Sequence, residues 1–175
     1  FDLITNARNL VYVQALNDSN NIIIGKDILV TGNTESYTQS HWYLEEQPIK
    51  DNSINIDVYE IDVDTPEGAK RKSVDLYAIH NSSISFHVMA RVINYGGGNH
   101  QINLYKYESG KWTALQSIYG SQFNLPSLSS PVNFRFEIYN LHCKVYWDNR
   151  KVIDYVLEDT NLDTSSNIQN VVHIY

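Results

Sequence analysis

Residues 132–158 read VNFRFEIYNLHCKVYWDNRKVIDYVLE. Phe134, Phe136 and Ile138 alternate with Asn133, Arg135 and Glu137. After a polar break at Asn140, Cys143, Val145 and Trp147 alternate with Lys144, Tyr146 and Asp148. Asp148-Asn149-Arg150 reads as a turn, and a third apolar run passes through Val152, Ile153, Tyr155 and Val156. Successive side chains of a strand point to opposite faces, so the stretch is a half-buried antiparallel meander. Asx residues at its breaks suit tight hairpin turns. One parity, containing Phe134, Phe136, Ile138, Val145 and Trp147, is thereby assigned to the core.

Working outward, strand-like runs recur at 10–16, 22–24, 28–31, 41–45, 54–63, 74–79, 84–93, 102–107, 112–118 and 171–175. Between them lie turn signals: Gly32-Asn33-Thr34, Thr65-Pro66-Glu67-Gly68, Gly96-Gly97-Gly98-Asn99 and Glu108-Ser109-Gly110-Lys111. Residues 120–131 carry two of the four prolines and read as a long crossover loop. No window sustains a helical period. Short strands at this spacing predict an all-β protein, an antiparallel β-sandwich of jelly-roll type with little helix. A single domain over residues 1–175 is expected. Tyr12-Val13-Gln14-Ala15 echoes His87-Val88-Met89-Ala90, which admits a division into two similar halves, 1–80 and 81–175.

Composition narrows the partners. Net charge is −7 and the pI is near 5.2. Nucleic-acid affinity comes from clustered Lys and Arg, so no nucleic-acid partner is expected. The one basic knot, Lys70-Arg71-Lys72, is flanked by Glu67 and Asp75 and reads as a solvated turn. The single cysteine, Cys143, falls on the inward parity and reads as a buried, inert thiol. No apolar run approaches the roughly 18 residues of a membrane helix, so no membrane span is expected. The first residue is Phe1 rather than Met, as after removal of a leader or trimming. Two sequons, Asn17-Asp18-Ser19 and Asn81-Ser82-Ser83, lie in polar turns. Together these support a secreted glycoprotein with glycans at Asn17 and Asn81.

The sharpest chemical candidate is Glu60-Ile61-Asp62-Val63-Asp64. On a strand its three carboxylates share one face, and neighbouring carboxylates push their pKa values apart as glycosidic cleavage requires. The run resembles the E-I-D-x-x-E signature of laminarinase-type glycoside hydrolases. That resemblance implies Glu60 as nucleophile, Asp62 as its helper and Asp64 where the acid/base Glu would stand. Asp62 and Asp64 are also the candidate ligands of a divalent cation, calcium, with no other cofactor expected. Trp42, Trp112 and Trp147 are either core or platforms for the apolar faces of sugars, and Trp112, just after a tight turn, is the most exposed of them by expectation. The six histidines show no metal-ligand spacing, and no G-x-S-x-G elbow or phosphate loop is present.

Residues 84–159 resemble the concanavalin-A-like lectin and glucanase superfamily, in its LamG-like branch. The features are Phe86-His87-Val88-Met89-Ala90-Arg91-Val92, the glycine loop, Ile102-Asn103-Leu104-Tyr105, Gly110-Lys111-Trp112-Thr113-Ala114-Leu115, Phe134-Arg135-Phe136-Glu137-Ile138, and the hairpin Lys144-Val145-Tyr146-Trp147-Asp148-Asn149-Arg150-Lys151-Val152-Ile153. The resemblance implies a jelly-roll sandwich whose concave sheet often holds glycans or peptides. The expected function is a non-catalytic extracellular recognition module for glycans or a cell-surface ligand. Its binding residues are expected on rim loops: Trp112, Asn99, His100 and Gln122, with Trp42 beside them. A structural or assembly role, as a coat or adhesion subunit, is the first alternative. A glycoside hydrolase using Glu60, Asp62 and Asp64 is the second. Weak single-site binding predicts a homo-oligomer or a multi-domain parent.

Overall fold

The alternation read in residues 132–147 is the burial pattern of the folded chain. Phe134, Phe136, Ile138, Cys143, Val145 and Trp147 are each no more than 2% exposed. The computed structural model describes residues 10–15, 20–24, 28–32, 40–43, 52–58, 61, 72–127, 129–158 and 169–174. In chain order the strands are β1 Leu10–Ala15, β2 Asn20–Ile24, β3 Ile28–Gly32, β4 Ser40–Tyr43, β5 Asn52–Val58 and β6 Lys72–Asn81. They continue with β7 Phe86–Asn94, β8 His100–Glu108, β9 Lys111–Tyr119, β10 Val132–Tyr139, β11 His142–Trp147, β12 Arg150–Val156 and β13 Gln169–Ile174. No helix occurs among the described residues.

The strands form two sheets, ordered β12-β11-β10-β5-β1-β2-β3 and β4-β13-β6-β7-β8-β9. The chain is thus an all-β sandwich. Every pairing is antiparallel except that of β1 with β5, which is parallel. Both sheets take strands from either side of residue 80. The core lies between them. Ile54, Ile56, Phe134, Phe136 and Val145 contribute from the first sheet, and Leu76, Val88, Ala90, Ile102, Leu104 and Val172 from the second.

Turn chemistry fixes the hairpins. Asp148 and Asn149 both have positive φ, 53° and 61°, as do Ser109 and Gly110, 53° and 77°. Two consecutive positive φ values make the type I′ turn, whose twist matches that of paired strands. Asn140 and Leu141 adopt the same geometry at φ 48° and 67°, a conformation in which leucine is uncommon. Val152 is the extra residue of a bulge where β12 pairs β11, which explains the broken alternation of the third run. Cys143 is fully enclosed, and burial pushes its thiol up to about 12, so the thiolate is not accessible at neutral pH.

Two strand boundaries differ from expectation. Within the run 54–63, β5 extends to Val58, and Ile61 lies outside any strand, is buried, and its carbonyl accepts a bond from Asn94 Nδ2 at 2.9 Å; residues 59, 60, 62 and 63 lie outside the described residues. Likewise Ile84 sits in an exposed turn, and β7 begins only at Phe86.

Candidate functional site

The six-stranded sheet carries its chemistry on the face turned away from the core. Val74, Leu76 and Ala78 of β6 point into the sandwich, so Asp75 and Tyr77 point out. Strand register extends this parity into three rows. In the first, His173, Asp75, Arg91, Asn103 and Ser117 follow one another across β13, β6, β7, β8 and β9. In the second come Val171, Tyr77, Met89, Tyr105 and Ala114. The third runs His80, His87, Tyr107, Trp112.

The first row is a buried charge network. Arg91 donates from Nε to Asp75 Oδ1 at 2.7 Å and from Nη2 to Oδ2 at 2.9 Å. His173 donates from Nδ1 to the same Oδ2 at 2.9 Å. Burial pushes the Asp75 carboxyl up, but the bonds and charges of Arg91 and His173 outweigh it and hold the group below the usual carboxylate range. Beside Arg91, Asn103 is 2% exposed and its Nδ2 has no hydrogen-bond partner. A buried amide donor left unmatched is costly, which marks a place where an acceptor is wanted.

The third row is a stacked aromatic bed. His80 lies on His87 with ring centroids 4.2 Å apart, and His87 lies on Tyr107 at 5.3 Å. Tyr77 meets His80 and His87 edge-on at 5.4 Å and 6.0 Å. Trp112 closes the group, 5.0 Å from Tyr107 and 6.3 Å from His87, and remains 41% exposed. Burial, reinforced by the charge of His80 and partly offset by the Phe86 carbonyl, lowers His87 to about 4. The face is therefore uncharged at this position at neutral pH. Between 6.5 and about 4 the unfolded chain takes up a proton there that the folded chain refuses, so stability declines as pH falls through that window.

The structure separates the residues expected to form one site. His100 opens β8, whereas Trp112 pairs with Tyr107 near the other end, roughly 23 Å away at 3.3 Å per residue. Trp42 lies on β4, opposite Val172 and at the far edge of the sheet from β9, roughly 24 Å across five strand spacings. Trp147 is core, 2% exposed. Asn99, His100 and Gln122 lie at the same rim, where β7 turns into β8 and β9 ends. Asn99 is exposed there, its N–H donating to the Gly96 carbonyl at 3.0 Å. The polar atoms of the other two hold the backbone. Gln122 Oε1 accepts the Tyr119 N–H at 2.8 Å, and His100 Nε2 donates to the Phe123 carbonyl at 2.9 Å. Gly120 permits this junction: a Cβ there would stand 2.6 Å from the Gly98 carbonyl oxygen and 3.0 Å from the His100 ring. Gly120→Ala is expected to cost about 1–3 kcal/mol through backbone displacement. A urea unfolding midpoint equal to that of the parent would contradict this.

Of the sequons, Asn17 lies outside the described residues. Asn81 is 2% exposed and its Oδ1 accepts the Ser83 N–H at 3.2 Å, so a glycan on its amide requires that side chain to leave its pocket. Glu60, Asp62 and Asp64 also lie outside the described residues. Among the described residues no group of three or more His, Cys, Asp or Glu side chains is placed to hold a metal, and no helix is long and apolar enough to cross a membrane. Sequence reasoning missed Asp75, Arg91, Asn103, His80, His87 and His173. The signal available was polarity at the outward parity of β6, β7, β8 and β13, alternating with apolar inward residues such as Leu76, Ala90, Leu104 and Val172.

No protein-family model and no curated protein matches the chain. Solved structures do. The carbohydrate binding module CBM66 from Bacillus subtilis superposes with TM-score 0.54 at 14% identity, over 81% of this chain and 76% of that one. A native glycosidic hydrolase gives 0.55 at 9% identity, over 99% and 74%. A Bacillus subtilis protein of unknown function with a galectin-like fold gives 0.52 at 9% identity, over 90% and 80%. At these identities the likeness is one of fold: the chain has the jelly-roll sandwich architecture that these proteins share.

Proposed function

We propose that the chain is a non-catalytic, extracellular recognition module that binds glycans on the outer face of its six-stranded sheet. The observation that carries this reading is Trp112, a 41% exposed indole set against the rings of Tyr107 and His87. Sugars present an apolar C–H face to aromatic rings, and an exposed indole can receive it. One neighbour of this fold is itself a carbohydrate binding module, which supports the reading. The sequon at Asn17 supports export. A single exposed stack contributes on the order of 1 kcal/mol, so one module binds weakly and several copies, in a homo-oligomer or a longer parent chain, supply avidity.

The test is a glycan array with and without calcium, followed by Trp112→Ala. The variant is expected to lose about tenfold in affinity for whatever glycan the parent retains, the equivalent of 1.4 kcal/mol. Its unfolding midpoint should stay close to that of the parent, because the side chain is partly exposed already. Unchanged binding in the variant, or no glycan retained by the parent, removes this reading.

A further inference from the structure

The rim opposite Trp112 contains a preformed cleft of about 680 Å³. Its wall is the segment 122–124, and that segment is pinned in an unusual way. Three consecutive backbone carbonyls each accept a bond from a side chain of a different strand. Arg150 Nη2, at the start of β12, donates to the Gln122 carbonyl. His100 Nε2, at the start of β8, donates to the Phe123 carbonyl at 2.9 Å. Trp147 Nε1, at the end of β11, donates to the Asn124 carbonyl at 2.9 Å. Below, backbone bonds in both directions between Ser127 and Ser130, 3.2 Å and 2.9 Å, close the loop. Two strands of one sheet and one of the other are thus tied to the same three residues. Bonds of this kind hold a cleft open without a ligand and lower the ordering cost of binding.

We infer that this cleft is a second ligand site, for an uncharged, polyhydroxylated ligand such as the end of a neutral glycan. The choice of a glycan over other polyols rests on the recognition reading above. The lining decides the rest. Gln122, Asn124, Ser127 and Ser130 bring amides and hydroxyls, which donate and accept as sugar hydroxyls do. Asp148 and Arg150 lie on the same lip with opposite signs, so the lining has no net charge to select an ion. Phe123 and Trp147 are 4% and 2% exposed, so their rings are sealed beneath the pinned backbone and offer no stacking platform. Recognition here is by hydrogen bonds, in contrast to the Trp112 face. A peptide adding as a strand is disfavoured, because the wall's three carbonyls already accept bonds. The volume lies within the roughly 300–1,000 Å³ of small-ligand sites.

The two sites have separate reporters. The Trp147 indole N–H is part of the cleft wall, and the Trp112 indole marks the sheet face. The experiment is a ¹H–¹⁵N titration of the parent and of Trp112→Ala with the methyl glycosides of glucose, galactose and fructose, and with glucuronate as the charged arm. The expected result is a saturable shift of the Trp147 indole signal and of the amides of 121–125 and 148–150, with the neutral sugars, in both proteins. Asn124→Ala and Ser130→Ala should each weaken that response about fivefold, the worth of one hydrogen bond near 1 kcal/mol. The ligand-free position of the Trp147 signal should be unchanged in Ser130→Ala, a residue that does not bond the indole. Shifts confined to Trp112 overturn the cleft and leave the sheet-face reading standing. Cleft shifts without any Trp112 response do the opposite. A cleft response to glucuronate alone overturns the uncharged class, and no shift with any sugar overturns both sites.

Discussion

Asp75→Ala is expected to destabilise the fold by about 3–5 kcal/mol, the cost of breaking a buried ion pair from one side. Asp75 is fully buried between Arg91 on β7 and His173 on β13, two strands brought together by residues far apart in the chain. Removing the carboxylate takes away the acceptor of two bonds from the Arg91 guanidinium, only 21% exposed, and of one from the nearly buried His173 imidazole. For a chain of this size each kcal/mol lowers Tm by roughly 2–4 °C, so a fall on the order of 10 °C is expected. The pH dependence follows from the direction of the shift. The native carboxyl titrates below its unfolded value near 3.9, so its contribution is complete above that pH and is lost as pH falls through the native value. The parent should therefore show an acid-unfolding limb below about pH 4 that is reduced in Asp75→Asn. A triple replacement of Asp75, Arg91 and His173 by apolar residues of similar size should be more stable than Asp75→Ala alone, because it also removes the buried polar groups that bonded the carboxylate. A single variant within 0.5 kcal/mol of the parent would show that this network is energetically idle.

Phe136→Ala is expected to cost a similar amount, about 3–5 kcal/mol, by a different mechanism. Phe136 has no exposed surface and stands between Ile54 on β5 and Val145 on β11 in the middle of the seven-stranded sheet. Truncation loses the transfer energy of the ring and opens a cavity that three central strands cannot collapse around. Tyr139, the last residue of the same strand, is 72% exposed, so Tyr139→Ala should stay within about 0.5 kcal/mol of the parent. Chemical denaturation of the two variants side by side separates core from surface parity. Equal midpoints would sink the assignment of faces on β10.

Much of the sandwich was legible because a strand writes its burial into the next residue but one. The parity of Phe134, Phe136, Ile138, Cys143, Val145 and Trp147 needed no partner to be read, and Asp148-Asn149 announced a turn that needs two positive φ values. Pairing was less visible. Nothing local in Leu10–Ala15 says that it lies parallel to Asn52–Val58, or that Gln169–Ile174 inserts between β4 and β6. The reading of 54–63 as one strand failed at Ile61, which lies outside any strand with its carbonyl bonded by Asn94, although the apolar alternation continues through it.

The candidate sites divide the same way. By itself the sequence determined the all-β class, the inward face of the central hairpins, the inert cysteine and the exposed setting of Trp112, since each depends on neighbours along the chain. The tertiary structure alone decided that Trp112 and Gln122 serve opposite ends of the sheet. It alone decided that His173 reaches Asp75 across 98 positions and that three consecutive carbonyls are clamped from three strands. A polar side chain reads the same in sequence whether water or a buried counter-charge satisfies it. Only the strand order, set by the free energy of the whole core, determines which of the two it meets.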